Sequence, residues 1–265
     1  TTYFLSVSSG SGGSDGLQHF AHAFGGLRLF HGSLLINGDK VKQGGGALLR
    51  KGDTFEVAGT AKTHWVRFDL SHDAPVEQAQ GHGQVSLPVP SGSSDVLLRM
   101  DEVKFPPSAV AFRHIHPGDG LRFLTVGELS VVGDEHLHIA TPGRAWFETA
   151  NFPVRAEASA DHAMTSFLRF MVLPPSYLGK PSFNILDKDE VRLPQQQIHG
   201  DILTKSFTWR LDRRSKPIGC VIRLLGAAGL GDRPSLLIAL MIYPLVSTLS
   251  GVTRPKPSSW MLLAQ

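Results

Sequence analysis

The amino-acid sequence predicts an all-β protein in which two similar barrels follow one another. The 265-residue chain is rich in turn formers, with 28 Gly and 17 Pro. Short runs of β-branched and aromatic residues recur, and turn signals separate them at intervals of about eight to twelve residues. The turns then recur in a similar order in the second half of the chain, so a repeated barrel explains the pattern better than one irregular domain.

The first set of predicted strands begins near Leu27. Residues 1–26 contain a Ser/Gly-rich stretch from Ser8 to Ser14, and we expect this segment to be flexible. Asn37-Gly38 predicts a hairpin turn because both residues tolerate a positive φ. Strand-like runs continue to Leu70. We therefore expect the first barrel half over residues 27–80.

A second set of strands follows a Gly/Pro/Ser-rich connection that ends near Asp95. Eight further strand-like runs lie between Val96 and Leu173, which predicts a second barrel half over residues 95–179. The run beginning Gly32-Ser33-Leu34 matches the run beginning Gly127-Glu128-Leu129 in residue type and in its place within the half. This match indicates an internal duplication.

Residues 180–265 differ in composition from both halves, and we expect a short helical or irregular C-terminal extension or arm. This segment has 5 Lys and 7 Arg against 5 Asp and 1 Glu. The basic residues are scattered and form no helix-turn-helix pattern, so we expect no nucleic-acid partner. The apolar run from Leu236 to Val246 contains Pro244 and is shorter than the ~20 residues of a membrane helix. We expect no membrane span.

The single cysteine, Cys220, excludes an intrachain disulfide and a Cys-based zinc site. Any metal ion would therefore be bound by His and carboxylate side chains. The start of the sequence lacks the basic and apolar segments of a secretion signal, so we expect a cytoplasmic location. Open barrel edges and the apolar tail need cover, which predicts a homodimer.

His114 and His116 are the main candidates for a functional site. In a strand, side chains at i and i+2 point to the same face, so both imidazoles can enter a barrel and bind one ion. His136 and His138 have the same spacing, but we expect them to face solvent. For His64, which precedes a Trp, we expect a structural role.

The second half resembles the cupin superfamily. Ser108, His114-Ile115-His116, Gly120 and Gly127 have the spacing of the family's first motif, in which a Glu stands where this sequence has Gly120. Glu148 to Pro153 resembles the second motif, although the Pro, Gly and His of that motif are all replaced. The resemblance implies a bicupin, two RmlC-like jelly rolls in one chain, with a degenerate metal site.

This resemblance implies a divalent transition metal, Fe, Mn, Ni or Zn, bound by His114 and His116. Two imidazoles alone bind a metal weakly, because protein sites generally use three or more ligands. Asp119 and His162 are the candidate third ligands, since they lie near the two missing family ligands in the sequence. The alternative is a barrel without a cofactor, in which the two histidines bind a ligand or only pack.

Two functions stay open at the level of the sequence. The first is a metal-dependent enzyme, dioxygenase- or isomerase-like, that acts on a small organic acid. The second is a non-catalytic module that binds or senses a small molecule. In either case Phe112, Phe123, Trp146 and Phe147 are candidates to line the ligand pocket. The sequence contains no Walker A, GxSxG or HExxH motif, so it does not indicate the enzyme classes that carry them.

Overall fold

The computed structural model describes residues 3–12, 16–58, 63–71, 80–85, 95–134, 136–201 and 207–210. Over these ranges the chain forms twenty β-strands and two single turns of 3-10 helix. The predicted all-β class is therefore confirmed. No helix within the described residues is long and apolar enough to cross a membrane.

The first half forms two antiparallel sheets. Its strands are β1 (Tyr3–Gly12), β2 (Leu17–His19), β3 (Phe24–His31), β4 (Leu34–Ile36), β5 (Asp39–Lys40), β6 (Gly46–Arg50), β7 (Thr54–Val57), β8 (Thr63–Ser71) and β9 (Gly81–Val85). The sheet orders are β6-β3-β8-β1-β9 and β2-β7-β4-β5. Without β9, this is the strand order of an eight-stranded jelly roll.

The second half repeats the same order. Its strands are β10 (Asp95–Phe105), β11 (Val110–Ile115), β12 (Gly120–Val126), β13 (Leu129–Val132), β14 (Leu137–Ala140), β15 (Ala145–Glu148), β16 (Val154–Ala158) and β17 (Thr165–Leu173). They form the sheet paths β15-β12-β17-β10 and β14-β13-β16-β11. The strands that open the two halves, β1 and β10, occupy equivalent places, which confirms two jelly rolls in one chain.

The described part of the C-terminal extension packs on the second barrel. A 3-10 turn at Pro175–Tyr177 precedes it. The extension itself contains a 3-10 turn at Glu190–Arg192 and three strands, β18 (Asn184–Ile185), β19 (Ile198–Asp201) and β20 (Phe207–Arg210). β18 pairs with β11, whereas β19 and β20 pair with β10. We call residues 181–201 the C-terminal arm. Cys220 and the apolar run from Leu236 lie outside the described residues.

The expectation of a flexible segment over residues 1–26 is wrong for its strands. β1 is paired with β8 on one side and with β9 on the other. Backbone hydrogen bonds to both neighbours hold this strand even where its side chains are small. Tyr3, Leu5 and Val7 are buried and alternate with Phe4, Ser6 and Ser8. Gly10 lies directly against the ring of Trp65, where a side chain would collide. The Ser/Gly-rich composition therefore reflects close packing in this strand.

The two larger sheets pack against each other and share one apolar core. Phe68 of the first barrel stacks on Phe170 of the second, with ring centroids 5.7 Å apart. Two glycines allow the close approach: a Cβ on Gly26 would lie 2.7 Å from the Phe170 ring, and one on Gly83 would overlap the ring of Phe147. The barrels are thus held together through the outer faces of their sheets.

The interiors of the two barrels differ. The first is filled by an apolar cluster made of Phe20, Leu27, Leu29, Leu34, Ile36, Val41, Leu49, Phe55 and Val57. The second contains an apolar cluster as well, but also buried charged and imidazole side chains, namely Asp101, His114, His116, Arg122 and Arg169. The second barrel is therefore the place to look for a site.

Substituting Gly83 with Ala should destabilise the protein by about 1–3 kcal/mol, because the new methyl group overpacks the interface between the barrels. The neighbouring exposed residue offers a matched control, and Gln84→Ala should change stability by less than about 0.5 kcal/mol. Urea unfolding of both variants measures the difference. Equal unfolding midpoints would show that the sheets do not meet at Gly83.

Candidate functional site

His114 and His116 point into the second barrel. His114 lies near the end of β11, and His116 follows directly after this strand. Their residues are only 5% and 4% exposed, and both line the same cavity. The two Nε2 atoms are 3.2 Å apart. The i, i+2 spacing thus brings two imidazole nitrogens to one point.

The other ring nitrogens fix the tautomer of each histidine. Nδ1 of His114 is 2.6 Å from the carbonyl oxygen of Phe112, and Nδ1 of His116 contacts the carbonyl oxygen of Ser182. Because a carbonyl only accepts hydrogen bonds, each Nδ1 carries the proton and donates it. In the neutral rings both Nε2 atoms therefore present lone pairs to each other, with no proton between them.

Both histidines are neutral near pH 7. Burial lowers the pKa of His114 to about 4, and this effect outweighs the nearby Glu148 carboxylate, which raises it. Burial, together with the positive charges of Arg122 and Arg169, lowers the pKa of His116 well below its usual value. Neutral imidazole is the form that binds metal ions.

Glu148 brings a carboxylate to the same place. In β15 its side chain shares the inner face with Trp146, whose Nε1 donates to Oε1 of Glu148 at 2.8 Å. Oε2 of Glu148 lies 2.7 Å from Nη2 of Arg122 and 3.6 Å from Nε2 of His116. Among the described residues, neither Oε2 nor Nη2 has a partner in hydrogen-bond geometry. The short contact is a charge contact that leaves Oε2 able to accept another partner.

Two buried arginines balance two carboxylates around the cavity. Arg169 forms a bidentate pair with Asp101, at 2.9 Å from Nε to Oδ1 and 2.7 Å from Nη2 to Oδ2. Burial opposes the charge of Arg169, but the Asp101 carboxylate raises its pKa overall. Arg122 is 1% exposed and faces Glu148, and burial lowers its pKa to about 10. Both guanidiniums stay charged at neutral pH, so these four groups sum to zero charge.

The cavity between these groups is small, about 30 Å³. Its polar lining comes from His114, His116, Arg122, Glu148, Arg169, Gln197 and His199. Phe183 of the C-terminal arm also lines it, and the centroid of its ring is 4.0 Å from that of His114. One buried water needs about 10–15 Å³ of such space, so the cavity has room for an ion or one or two waters.

The distance between the two Nε2 atoms is compatible with two ligands of one metal ion. Ligand atoms about 2.1 Å from an ion lie about 3.0 Å apart at a right angle and about 3.4 Å apart at a tetrahedral angle. The separation of 3.2 Å between the two Nε2 atoms falls between these values. Oε2 of Glu148 lies 3.6 Å from Nε2 of His116 and is paired with Arg122 at 2.7 Å. Within the described residues, no three His, Cys, Asp or Glu side chains are arranged so that they could hold a metal ion as they stand.

The structure does not bring the two predicted third ligands to the histidine pair. Oδ1 of Asp119 accepts a hydrogen bond from the backbone N–H of Ala150 at 2.7 Å, so this carboxylate holds the turn after β15. β16 begins at Val154, opposite His114, and runs away from it. His162 is exposed beyond the far end of β16, roughly 13 Å along the strand axis. The expectation for His162 is wrong for this reason.

Arg122 occupies the space beside the position where the resemblance implies a Glu. A Cβ on Gly120 would lie 2.8 Å from Nη1 of Arg122 and 2.8 Å from Cγ of Met171. Nη1 also donates to the carbonyl oxygen of Gly120 at 2.6 Å. The barrel therefore has no room for a larger side chain at Gly120, and a guanidinium stands beside the histidines in its place.

The four aromatic candidates for the ligand pocket do not all face the cavity. Trp146 lines the cavity as expected. Phe123 and Phe147 instead pack in the core between the barrels, because they lie on the opposite faces of β12 and β15 from Arg122 and Trp146. Phe112 is not among the lining residues, and its ring lies 6.0 Å from the guanidinium of Arg155. The pocket expectation is therefore wrong for these three phenylalanines.

Three further histidines, which do not line the cavity, were expected to face solvent or to have a structural role. His136 and His138 are exposed, as expected. His64 stacks on Phe30 with a centroid distance of 5.0 Å, which is a packing role.

Several residues that line the cavity, Arg169 and His199 among them, were missed by reasoning from the sequence. Arg122, Phe183 and Gln197 carried no recognisable signal, because their contacts join segments far apart in the sequence. Glu148 had a signal that could have been used. It lies two residues after Trp146 in a predicted strand, so an inward Trp146 implies an inward Glu148.

Comparisons with known proteins give a likeness of fold. No family model and no curated protein matches the chain. A cupin 2 conserved barrel domain protein from Leptotrichia buccalis is similar, at 16% identity over 64% of this chain and 83% of that chain, with a TM-score of 0.40. AerE from Microcystis aeruginosa is 11% identical over 65% and 88%, with a TM-score of 0.46.

A salicylate 1,2-dioxygenase from Pseudaminobacter salicylatoxidans is also similar, at 11% identity over 64% of this chain and 70% of that chain, with a TM-score of 0.42. At these identities and TM-scores the likenesses carry no argument about activity. The fold of two jelly rolls is shown by the strand order itself.

The metal-free protein should lose stability as the pH falls from about 6.5 to 4. The folded pKa of His114 is about 4, below that of the unfolded chain, so the unfolded state takes up protons first. This residue alone accounts for about 3 kcal/mol, fully present above pH 6.5. Urea unfolding of wild type and His114→Gln across this range measures it. An equally steep pH dependence in the variant would contradict the prediction.

Breaking the buried Asp101–Arg169 pair from one side should cost about 3–5 kcal/mol, because it leaves one uncompensated charge in the barrel. Asp101→Leu tests this by chemical unfolding. The double variant Asp101→Leu/Arg169→Met removes both charges and should be more stable than the single variant. A double variant as unstable as the single would mean that packing, and not charge, sets the cost.

Proposed function

We propose that this double-cupin protein binds a divalent transition metal ion in its second barrel and acts there on a small organic acid. His114, His116 and Glu148 would hold the ion. One observation carries the proposal: two neutral imidazoles are fixed with their Nε2 lone pairs 3.2 Å apart. A cation at this point turns a repulsion between two acceptors into two coordination bonds.

The surroundings of the histidines support a metal site. In protein metal sites a ligating histidine almost always donates its other ring N–H to a carbonyl, carboxylate or water, as both histidines do here. Two imidazoles and one carboxylate with open positions suit Fe(II), and imidazole nitrogens also suit Zn(II) and Ni(II). The donor set therefore agrees with the metals implied by the resemblance.

When bound, the ion would supply Lewis-acid chemistry and a template for the ligand. The residues of the chain would bind and orient the acid. Arg122 is placed to do so, because its Nη2 has no directed hydrogen bond among the described residues. As Glu148 turns towards the ion, this guanidinium becomes free to pair with a substrate carboxylate. The apolar wall, including Val103, Leu129 and Val154, would exclude water.

The size of the cavity limits the substrate. About 30 Å³ accepts an ion with a water, and an organic acid needs additional space at the mouth. Phe183 of the C-terminal arm lines the cavity beside His114. The acid of this proposal is therefore a short one.

A non-catalytic binding module is the second candidate, and Arg122 is the observation that favours it. This guanidinium is fully buried beside the histidine pair and helps to lower the pKa of both imidazoles. The same positive charge opposes a cation. If the barrel takes no metal, Arg122 and the neutral imidazoles would bind a small anionic or neutral ligand without chemistry.

Metal analysis distinguishes these functions. Full-length protein, purified without a metal-affinity tag and incubated with Fe(II), Mn(II), Ni(II) or Zn(II), should retain about one equivalent after desalting. His114→Ala/His116→Ala should reduce this to less than about a tenth of an equivalent, because two donors are lost. Glu148→Gln should weaken binding by about 10- to 100-fold.

The exposed pair on β14 provides the control. His136→Ala/His138→Ala removes the same two side chains with the same spacing but should leave the bound metal unchanged. Metal-free wild type after all four incubations would reject the metal proposal and leave the binding module. Equal loss of metal in both double variants would mean that the ion binds at the surface.

A further inference from the structure

The C-terminal arm closes one of the two seams of the second barrel. The two sheets of this barrel face each other at their edge strands, so one seam lies between β10 and β11 and the other between β14 and β15. In the arm, β19 pairs with β10 at four positions and β18 pairs with β11 at two. The carbonyl oxygen of Ser182 accepts from Nδ1 of His116, and Phe183 lies against the ring of His114. A molecule entering on this side would have to displace paired strands.

The seam between β14 and β15 has no such cover among the described residues. In this part of the chain β14 pairs only with β13, and β15 pairs only with β12. The turn from Thr141 to Arg144 joins the two strands at one end, where backbone hydrogen bonds tie it to Leu124. The strands are thus linked at one end of the seam, and no backbone pairing between described residues joins them along its length.

An exposed residue on the inner face of β14 shows that the barrel wall is thin at this seam. His138 is paired with Val131 of β13, so the two side chains share one face of the sheet. This is the inner face, because Val131 is buried and lines the cavity. The other inner residues of these two strands, Leu129 and Ala140, are fully buried, whereas His138 is exposed. Solvent therefore reaches the inner face at His138.

Trp146 lies between this exposed histidine and the cavity. The residue lines the cavity, and its ring centroid is 6.1 Å from that of His138. Two contacts hold the indole: the ring packs edge-on against Phe167 at 5.2 Å between centroids, and Nε1 donates to Oε1 of Glu148 at 2.8 Å. Trp146 is only partly buried. One aromatic side chain therefore separates the cavity from water on this side of the barrel.

We propose that small molecules reach the histidine pair between β14 and β15, and that the indole of Trp146 is the gate on this route. A closed site admits a ligand only when a gating element moves. An outward swing of the ring would open the seam and break its bond to Glu148, so each entry would also release this carboxylate. The gate limits the cross-section of what can enter, which makes Trp146 a specificity-determining residue.

The gate needs only the cavity, so it can be tested apart from the metal ion and the organic acid of the proposed function. The probe is diethyl pyrocarbonate, which transfers an ethoxycarbonyl group to an unprotonated imidazole nitrogen. This reagent is too large for the cavity of about 30 Å³, so it reaches the buried Nε2 atoms only when the wall opens. Peptide mass spectrometry of the full-length protein near neutral pH measures the rates at His114 and His116, with the exposed His162 as internal reference.

Trp146→Ala should speed modification of His114 and His116 by about tenfold or more, because the gate is removed. Phe183→Ala provides the comparison. It removes an aromatic ring that lines the same cavity from the arm, at the seam that paired strands close, and should change both rates by less than about threefold. His162 should react at the same rate in every protein.

A second pair of variants tests the route by narrowing it. His138→Trp adds bulk at the exposed inner position beside the gate and should slow modification of the two buried histidines by about threefold or more. The matched control is Leu137→Trp, which adds an indole one residue earlier, on the outer face of the same strand, and should leave both rates unchanged. Both positions are exposed, so this test is available even if Trp146→Ala fails to fold.

The outcomes separate the gate from the proposed function. If Phe183→Ala speeds modification as much as Trp146→Ala, entry is not specific to the seam at Trp146 and the gate is rejected. If His138→Trp slows the reaction no more than Leu137→Trp, the route does not pass β14 and the inference is overturned. If all rates follow the expectation in a protein that binds no metal, the gate is supported while the metal proposal fails.

Discussion

The second barrel is organised around two imidazole lone pairs that point at each other in a dry interior. Alternation along one strand places His114 and His116 on the same side, and backbone carbonyls take the only ring protons. Burial then prevents either ring from taking up another proton near neutral pH. The surrounding groups fit this constraint. Glu148 brings a negative oxygen near the pair, Arg122 balances that charge, and the C-terminal arm closes the space above it.

The first barrel shows what the same strand order does without such a constraint. In the first barrel Leu27 is paired with Arg67, and at the matching place in the second Arg122 is paired with Arg169. The first barrel thus has Leu27 where the second barrel has the buried guanidinium of Arg122. Arg67 turns to Asp69 on its own strand, at 2.9 Å, and needs no partner from across the barrel. Two copies of one architecture therefore contain one mainly apolar core with a local ion pair and one polar site, and the difference depends on a few inward positions.

The sequence predicted which residues form strands better than it predicted which side of each strand faces the barrel interior. Strand periodicity and turn residues give local structure, so the two jelly rolls and the paired histidines could be expected. Alternation does not say which face is inside, which is why Phe123 and Phe147 were assigned to the wrong side. The Ser/Gly-rich composition led to the wrong expectation of a flexible segment at β1, because a strand that is paired on both sides tolerates Ser and Gly. Contacts such as His116 with Ser182 join residues 66 positions apart, and no local pattern encodes them.

The shared core between the two large sheets also affects how the chain is made. The outer face of the first barrel, with Phe68 and Leu70, is covered by residues of the second barrel such as Phe170. A ribosome releases the first barrel before the strands that cover it have been synthesised. During that interval the nascent chain displays a broad apolar sheet surface, which is a target for chaperones and for pairing with other nascent chains. A chain cut between the two halves would leave an exposed apolar sheet face on each of them.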